Sequence, residues 1–114
     1  MESELVFCDV VLKRGICYFN MQDYDLATKD LTAVIQINAF FRDMAFHWRG
    51  KCEMKLGNWW KVVEDNTEAL KINPNLYSAY KDRAEAYRAL GKPELAQQDW
   101  QQLSVITRDM IWNN

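Results

Sequence analysis

The sequence predicts an all-α protein made of antiparallel helix hairpins stacked side by side. Two observations carry this. The chain repeats itself at offsets of 35 and 34 residues, and within each unit apolar residues recur at helical spacing between matching turn residues. Composition agrees: only four Gly and two Pro interrupt 114 residues, which favours long regular elements. Hydrophobic residues at 49% and charged residues at 26% exclude a disordered or collagen-like chain.

The repeat is legible residue by residue. Arg14-Gly15-Ile16-Cys17 is matched by Arg49-Gly50-Lys51-Cys52 and, in the same frame, by Arg83-Ala84-Glu85-Ala86. Downstream, Asp30, Asp65 and Asp99 coincide, as do Ile37, Ile72 and Ile106. Three units result, at about 8–42, 43–76 and 77–110, with one extra residue near Phe40–Arg42. Residues 1–114 are read as one domain.

Each unit reads as two helices. The first unit takes its pair from its alignment with the other two. In the second, Phe46, Arg49, Gly50, Glu53, Met54 and Leu56 keep helical spacing up to Gly57, a fitting residue just past a helix end. Asn58 suits the N-cap of a second helix bearing Trp59, Val62, Val63, Asn66, Ala69, Leu70 and Ile72. Asn73-Pro74 ends it, because proline disfavours the α region in the residue before it, and Asn75 is expected to cap the next helix. In the third unit Gly91 stops one helix and Pro93 fits the first turn of its successor. Ala96, Trp100, Leu103, Thr107, Met110 and Ile111 carry the last helix to about Trp112.

Small residues recur at Gly15, Gly50 and Ala84, and two positions later at Cys17, Cys52 and Ala86. Close approach of two helices requires small side chains, so Cys17 and Cys52 are expected to be small buried hydrophobes. The three cysteines include no Cys-x-x-Cys, and their number is odd, which points to a reducing compartment and a cytoplasmic location. Met1-Glu2-Ser3-Glu4 does not open a secretory signal, and no apolar run approaches the roughly 20 residues of a membrane span.

Catalytic chemistry is not expected. His47 is the single histidine and has no metal-ligand company in the sequence. No Gly-rich phosphate loop or nucleophile elbow occurs, and no cofactor or metal is expected. Acidic residues such as Glu64-Asp65 and Glu94 read as solvated charge. With 14 basic against 16 acidic residues, nucleic acid is not an expected partner, and neither is a membrane.

These features resemble the tetratricopeptide repeat family, a 34-residue helix–turn–helix repeat. The residues that carry the likeness are Val11-x2-Arg14-Gly15-x2-Tyr18 with Ala27-x3-Leu31, Phe46-x2-Arg49-Gly50, Ala69-Leu70-Lys71-Ile72-Asn73-Pro74, and Tyr80-x2-Arg83-Ala84-x2-Tyr87 with Ala96-x3-Trp100. Departures are Glu53 for an aromatic, Asn66 for Phe, and Ala39 and Arg108 for the closing proline. The resemblance implies a short right-handed superhelix whose first helices line a concave groove for a peptide or helix of a partner protein.

Carried over position by position, the resemblance puts in that lining Asp9, Leu12, Lys13, Ile16, Phe19 and Asn20, then Met44, His47, Trp48, Lys51, Met54 and Lys55, then Ser78, Lys81, Asp82, Glu85 and Arg88. Leu12, Ile16, Phe19, Trp48 and Met54 would offer an apolar anchor site; alternatively the chain's own helices cover them. The family's carboxylate clamp for acidic chaperone tails needs Lys, Asn and Arg where this chain has Leu12, Ile16, Trp48, Ser78 and Asp82. Such tails are therefore not expected ligands.

Two further places are singled out. Helical geometry turns Trp60 about 100° from Trp59, giving a second contact surface or a ring covered by a lysine stem. Met110, Ile111 and Trp112 would leave the last helix partly bare, so that they fold back, meet another copy of the chain, or meet the rest of a longer protein.

Overall fold

The computed structural model describes residues 2–112. Among them six helices follow in order: α1 (Glu2–Asn20), α2 (Tyr24–Ile37), α3 (Arg42–Lys55), α4 (Trp59–Ile72), α5 (Tyr77–Ala89) and α6 (Pro93–Trp112). Consecutive helices pair as α1/α2, α3/α4 and α5/α6, and the hairpins join through α2 on α3 and α4 on α5. α1 also touches α3 and α3 touches α5, whereas α2, α4 and α6 do not touch one another. The first helices of the hairpins therefore crowd on one side while the second helices splay, and the stack is a short right-handed superhelix.

The turns follow from local chemistry. Gly57 and Gly91 both adopt φ +76, a left-handed conformation that glycine enters without a Cβ penalty. Gln22, at the same register, takes φ 65. Asn73 is extended, with φ −132, before Pro74, and Pro93 is the first residue of α6. The extra residue near Phe40–Arg42 is absorbed by Phe41 at φ 63, just before α3. Two expected caps differ. Leu76, not Asn75, precedes α5, and the Asn75 N–H donates to Asn73 Oδ1 at 3.2 Å. Asn58 stands at the N-cap of α4, but its amide donates to Glu53 Oε2 at 2.8 Å instead of capping.

One core cluster gathers Cys8, Val11, Leu12, Ala27, Leu31, Val34, Ala45 and Cys52; a second gathers Val62, Val63 and Ala86. The small residues sit where hairpins close. A Cβ on Gly15 would lie 3.2 Å from Leu31, and one on Gly50 would lie 3.0 Å from Asn66 Nδ2. Ala84 fills the same register fully buried.

The expectation for the cysteines divides. Cys52 is buried, and burial pushes its thiol above the ordinary value. Cys17 is exposed. Its register faces the preceding hairpin: Cys52 packs with α2 residues and Ala86 with Val62 and Val63 of α4. No hairpin precedes α1 among the described residues, so nothing covers Cys17 there.

The reading of Asp65 as solvated charge is also corrected. Asp30, Asp65 and Asp99 are buried and accept two hydrogen bonds each from Arg14, Arg49 and Arg83, with N···O distances of 2.6–3.0 Å. One clamp thus seals every hairpin. The clamps also reach backwards: Arg49 Nη1 donates to Thr32 Oγ1 at 3.2 Å, and Arg83 Nη1 to Thr67 Oγ1 at 3.1 Å. Burial raises the Asp65 carboxyl, and the Arg49 guanidinium pulls it back.

Candidate interaction surface

The inner side of the superhelix is built by α1, α3 and α5. On it, side chains of neighbouring helices meet. Phe19 from α1 and Trp48 from α3 form an edge-to-face pair with ring centroids 5.3 Å apart, and Tyr24 backs Phe19 at 5.7 Å. Ile16 and Met44 are half-buried beside them on the first core cluster, while Leu12 is buried within that cluster. Met54 belongs elsewhere: it packs with Trp59, Tyr87 and Leu90 against Val62, Val63 and Ala86. The structure therefore brings Leu12, Ile16, Phe19, Met44 and Trp48 together and separates Met54 from them.

Charge surrounds the aromatic pair. The Lys51 ammonium stands 5.8 Å from the Trp48 ring centroid and 3.1 Å from Asp82 Oδ2. Lys13, Lys55, Lys81, Glu85 and Arg88 are exposed, and Asp9 forms an ion pair with Lys13 at 3.2 Å.

His47 and Asp82 lie beneath this surface, at 3% and 5% exposure. Asn66, buried on α4, explains the histidine's position. Its amide nitrogen donates to the Val62 carbonyl at 3.0 Å, so its Oδ1 accepts from His47 Nδ1–H at 2.8 Å. Ser78 Oγ–H then donates to His47 Nε2 at 3.1 Å. Both ring nitrogens of a neutral imidazole are used. Desolvation holds His47 below the usual imidazole value, with Lys51 acting in the same direction and Asn66 and Asp82 opposing. Asp82 Oδ2 lies 3.9 Å from His47 Nδ1. The departure from the family's Phe at Asn66 thus creates a buried polar junction between the second and third hairpins. Together these groups form an apolar–aromatic floor with ammonium groups at its rim and a fixed polar layer beneath it.

The second surface noted in the sequence is distinct. Trp60 is 53% exposed, with Lys92 Nζ 5.6 Å from its ring centroid, beside Phe46, Val63 and Thr67. Met110 and Ile111 are exposed on α6, and the side chain of Trp112 lies outside the described residues. No helix among the described residues is long and apolar enough to cross a membrane. They contain no group of three or more His, Cys, Asp or Glu able to hold a metal ion.

A tetratricopeptide-repeat model matches residues 9–38. The chain is 49% identical over 52 residues to a 58 kDa phosphoprotein of Plasmodium berghei, which covers 45% of this chain but only 12% of that protein. Among solved structures it superposes on MamA with a TM-score of 0.86 at 18% identity, over 91% of this chain and 60% of MamA. It also superposes on the second repeat domain of Spaghetti (RPAP3) bound to the HSP90 peptide SRMEEVD, with a TM-score of 0.84 at 20% identity, over 93% and 99% of the two chains. The chain thus spans a small part of the phosphoprotein and about three fifths of MamA.

Proposed function

The chain belongs to the tetratricopeptide-repeat family, and from that premise we propose that it is a non-enzymatic interaction module that takes a peptide or helix of a partner protein along the concave side of α1, α3 and α5. The observation that carries this reading is the Phe19–Trp48 pair, flanked by Ile16, Met44 and Lys51. An aromatic anchor beside flexible ammonium groups suits a segment with one apolar side chain and neighbouring acidic groups. Lys55, Lys81 and Arg88 extend the basic rim, while Leu12, His47 and Asp82 act from below. Met54 contributes through the second cluster. Cytoplasmic residence fits the cysteine usage.

Acidic chaperone tails of the kind bound by the Spaghetti domain are not the ligand we propose. At the clamp positions Leu12 is buried apolar, Ser78 is held by His47, and Asp82 is an anion already engaged by Lys51. Titration with SRMEEVD is expected to show no binding in the low-micromolar range. Affinity capture with intact protein and with a Trp48→Ala, Lys51→Ala double variant tests the groove. The variant is expected to lose the captured partner while keeping the helical fold by circular dichroism; unchanged capture would refute it.

A second reading, a structural or self-associating segment of a larger repeat scaffold that meets its neighbours through α6, is favoured by one observation: Ile111 is 69% exposed near the end of α6. The two readings are compatible, since they use different surfaces.

A further inference from the structure

Two basic groups compete for one carboxylate beneath the groove. Asp82 Oδ2 has the Lys51 ammonium at 3.1 Å and His47 Nδ1 at 3.9 Å. The oxygen is buried and accepts no hydrogen bond, so the ammonium is held by charge without directional anchoring. Lys51 can leave, whereas His47 and Asp82 cannot. Its side chain is 29% exposed and its ammonium stands 5.8 Å from the Trp48 ring centroid, while the other two are buried.

His47 can take a proton without moving. Its Nδ1–H already donates to Asn66 Oδ1 at 2.8 Å. A proton on Nε2 makes that atom a donor too, and the Ser78 hydroxyl 3.1 Å away turns from donor to acceptor. Both hydrogen bonds of the ring survive, and only its charge changes. The charges acting on the ring are Asp82 of α5 and Asp43 of its own helix, which favour the proton, and Lys51, which opposes it. From α4 it meets the neutral Asn66, and Asp43 accepts from Asn73 Nδ2 at 3.3 Å. Opposition between two charges is reciprocal: Lys51 beside Asp82 resists a proton on His47, and a proton on His47 resists Lys51 there.

We propose that His47 sets the charge of the groove: neutral, it leaves Asp82 to Lys51; protonated, it becomes the counter-ion of Asp82 and releases Lys51 toward Trp48 and the open side. The junction then gains one positive charge, and that charge stands at the surface instead of beneath it. A segment with an acidic group beside its apolar anchor is held more tightly in mildly acidic medium than at neutral pH. This rests on the reading of the concave side as the binding surface and adds how that surface is regulated.

The test needs no partner. His47 is the single histidine, so its ring Cε1–H signal in carbon-resolved NMR reports its protonation directly. Trp48, labelled as 5-fluorotryptophan and assigned by the signal that Trp48→Phe loses, reports the position of the ammonium through its fluorine shift. Between pH 7.5 and 4.5 both wild-type signals are expected to move with one midpoint while ellipticity at 222 nm holds. Lys51→Met is expected to raise the His47 midpoint and to remove most of the Trp48 shift. Asp82→Asn is expected to lower that midpoint and to give, already at neutral pH, the Trp48 signal that wild type reaches only in acid. A Trp48 signal that stays fixed while His47 titrates, or that moves as far in Lys51→Met, would overturn the release of Lys51. So would a chain that unfolds before His47 takes its proton. None of these outcomes touches the capture result for Trp48→Ala, Lys51→Ala, which tests the groove itself.

Discussion

Replacing Arg83 by Ala is the sharpest test of what holds the hairpins shut. The substitution removes both hydrogen bonds to Asp99, at 2.9 and 2.6 Å, and the 3.1 Å contact to Thr67. It also strips a guanidinium from between the Tyr80 and Tyr87 rings, 5.7 and 5.9 Å away. The Asp99 side chain, 6% exposed, is left as a carboxylate without its counter-ion. Breaking a buried pair on one side typically costs about 3–5 kcal/mol. The Arg83 side chain retains 18% exposure, so water can enter, and the lower end, about 3 kcal/mol, is expected. For a chain of 114 residues, an unfolding entropy of roughly 2.1 cal/mol/K per residue converts that to a fall of about 12 °C in Tm. Arg14→Ala is the control. It breaks the same clamp, but its side chain is 58% exposed and the open edge admits solvent, so its effect is expected to be much smaller. Urea unfolding followed by circular dichroism at 222 nm measures both. Equal losses for the two variants, or less than about 1 kcal/mol for Arg83→Ala, would show that burial of the carboxylate is not what gives the clamp its strength.

Two further outcomes concern the polar junction. Since the folded state holds His47 below its unfolded value, the unfolded chain binds the extra proton first; stability is complete above about pH 6.5 and falls as pH drops below it. The neighbouring Asp82, Asp43 and Lys51 modulate the slope, so the comparison is Tm at pH 7.5 and 5.5 for wild type and His47→Gln, with the smaller pH difference expected in the variant. Asn66→Leu leaves the His47 Nδ1–H buried without an acceptor and is expected to cost about 1–3 kcal/mol, most of it regained when His47→Phe is added; a double variant no more stable than the single one would contradict this.

Most of the architecture was legible in the sequence because it is repeated. Gly57, Gly91, Pro93 and Asn73-Pro74 punctuate the chain where the helices stop or start, and each acts through its own backbone chemistry. What escaped depends on context outside the repeat unit. Cys17 and Cys52 look identical in the alignment, yet only Cys52 has a preceding helix to bury it. The Arg–Asp clamps carried a signal that was available, a separation of 16 residues recurring at Arg14/Asp30, Arg49/Asp65 and Arg83/Asp99. Read one carboxylate at a time, Asp65 passed for surface charge. On the inner side, register assigned His47 and Asp82 to the lining but could not give their depth. That depth comes from Asn66, which approaches from the opposite layer and pins the imidazole inward.

The backward reach of Arg49 to Thr32 and of Arg83 to Thr67 has a mechanical consequence. Each arginine belongs to two joints, the one inside its own hairpin and the one to the hairpin before it. Prising off the last pair of helices would therefore break the Arg83–Thr67 bond as well as the packing beneath it, and parting the first pair from the middle one would break Arg49–Thr32. Fraying from the end is penalised at each step, which couples the melting of units that a linear array could otherwise shed singly.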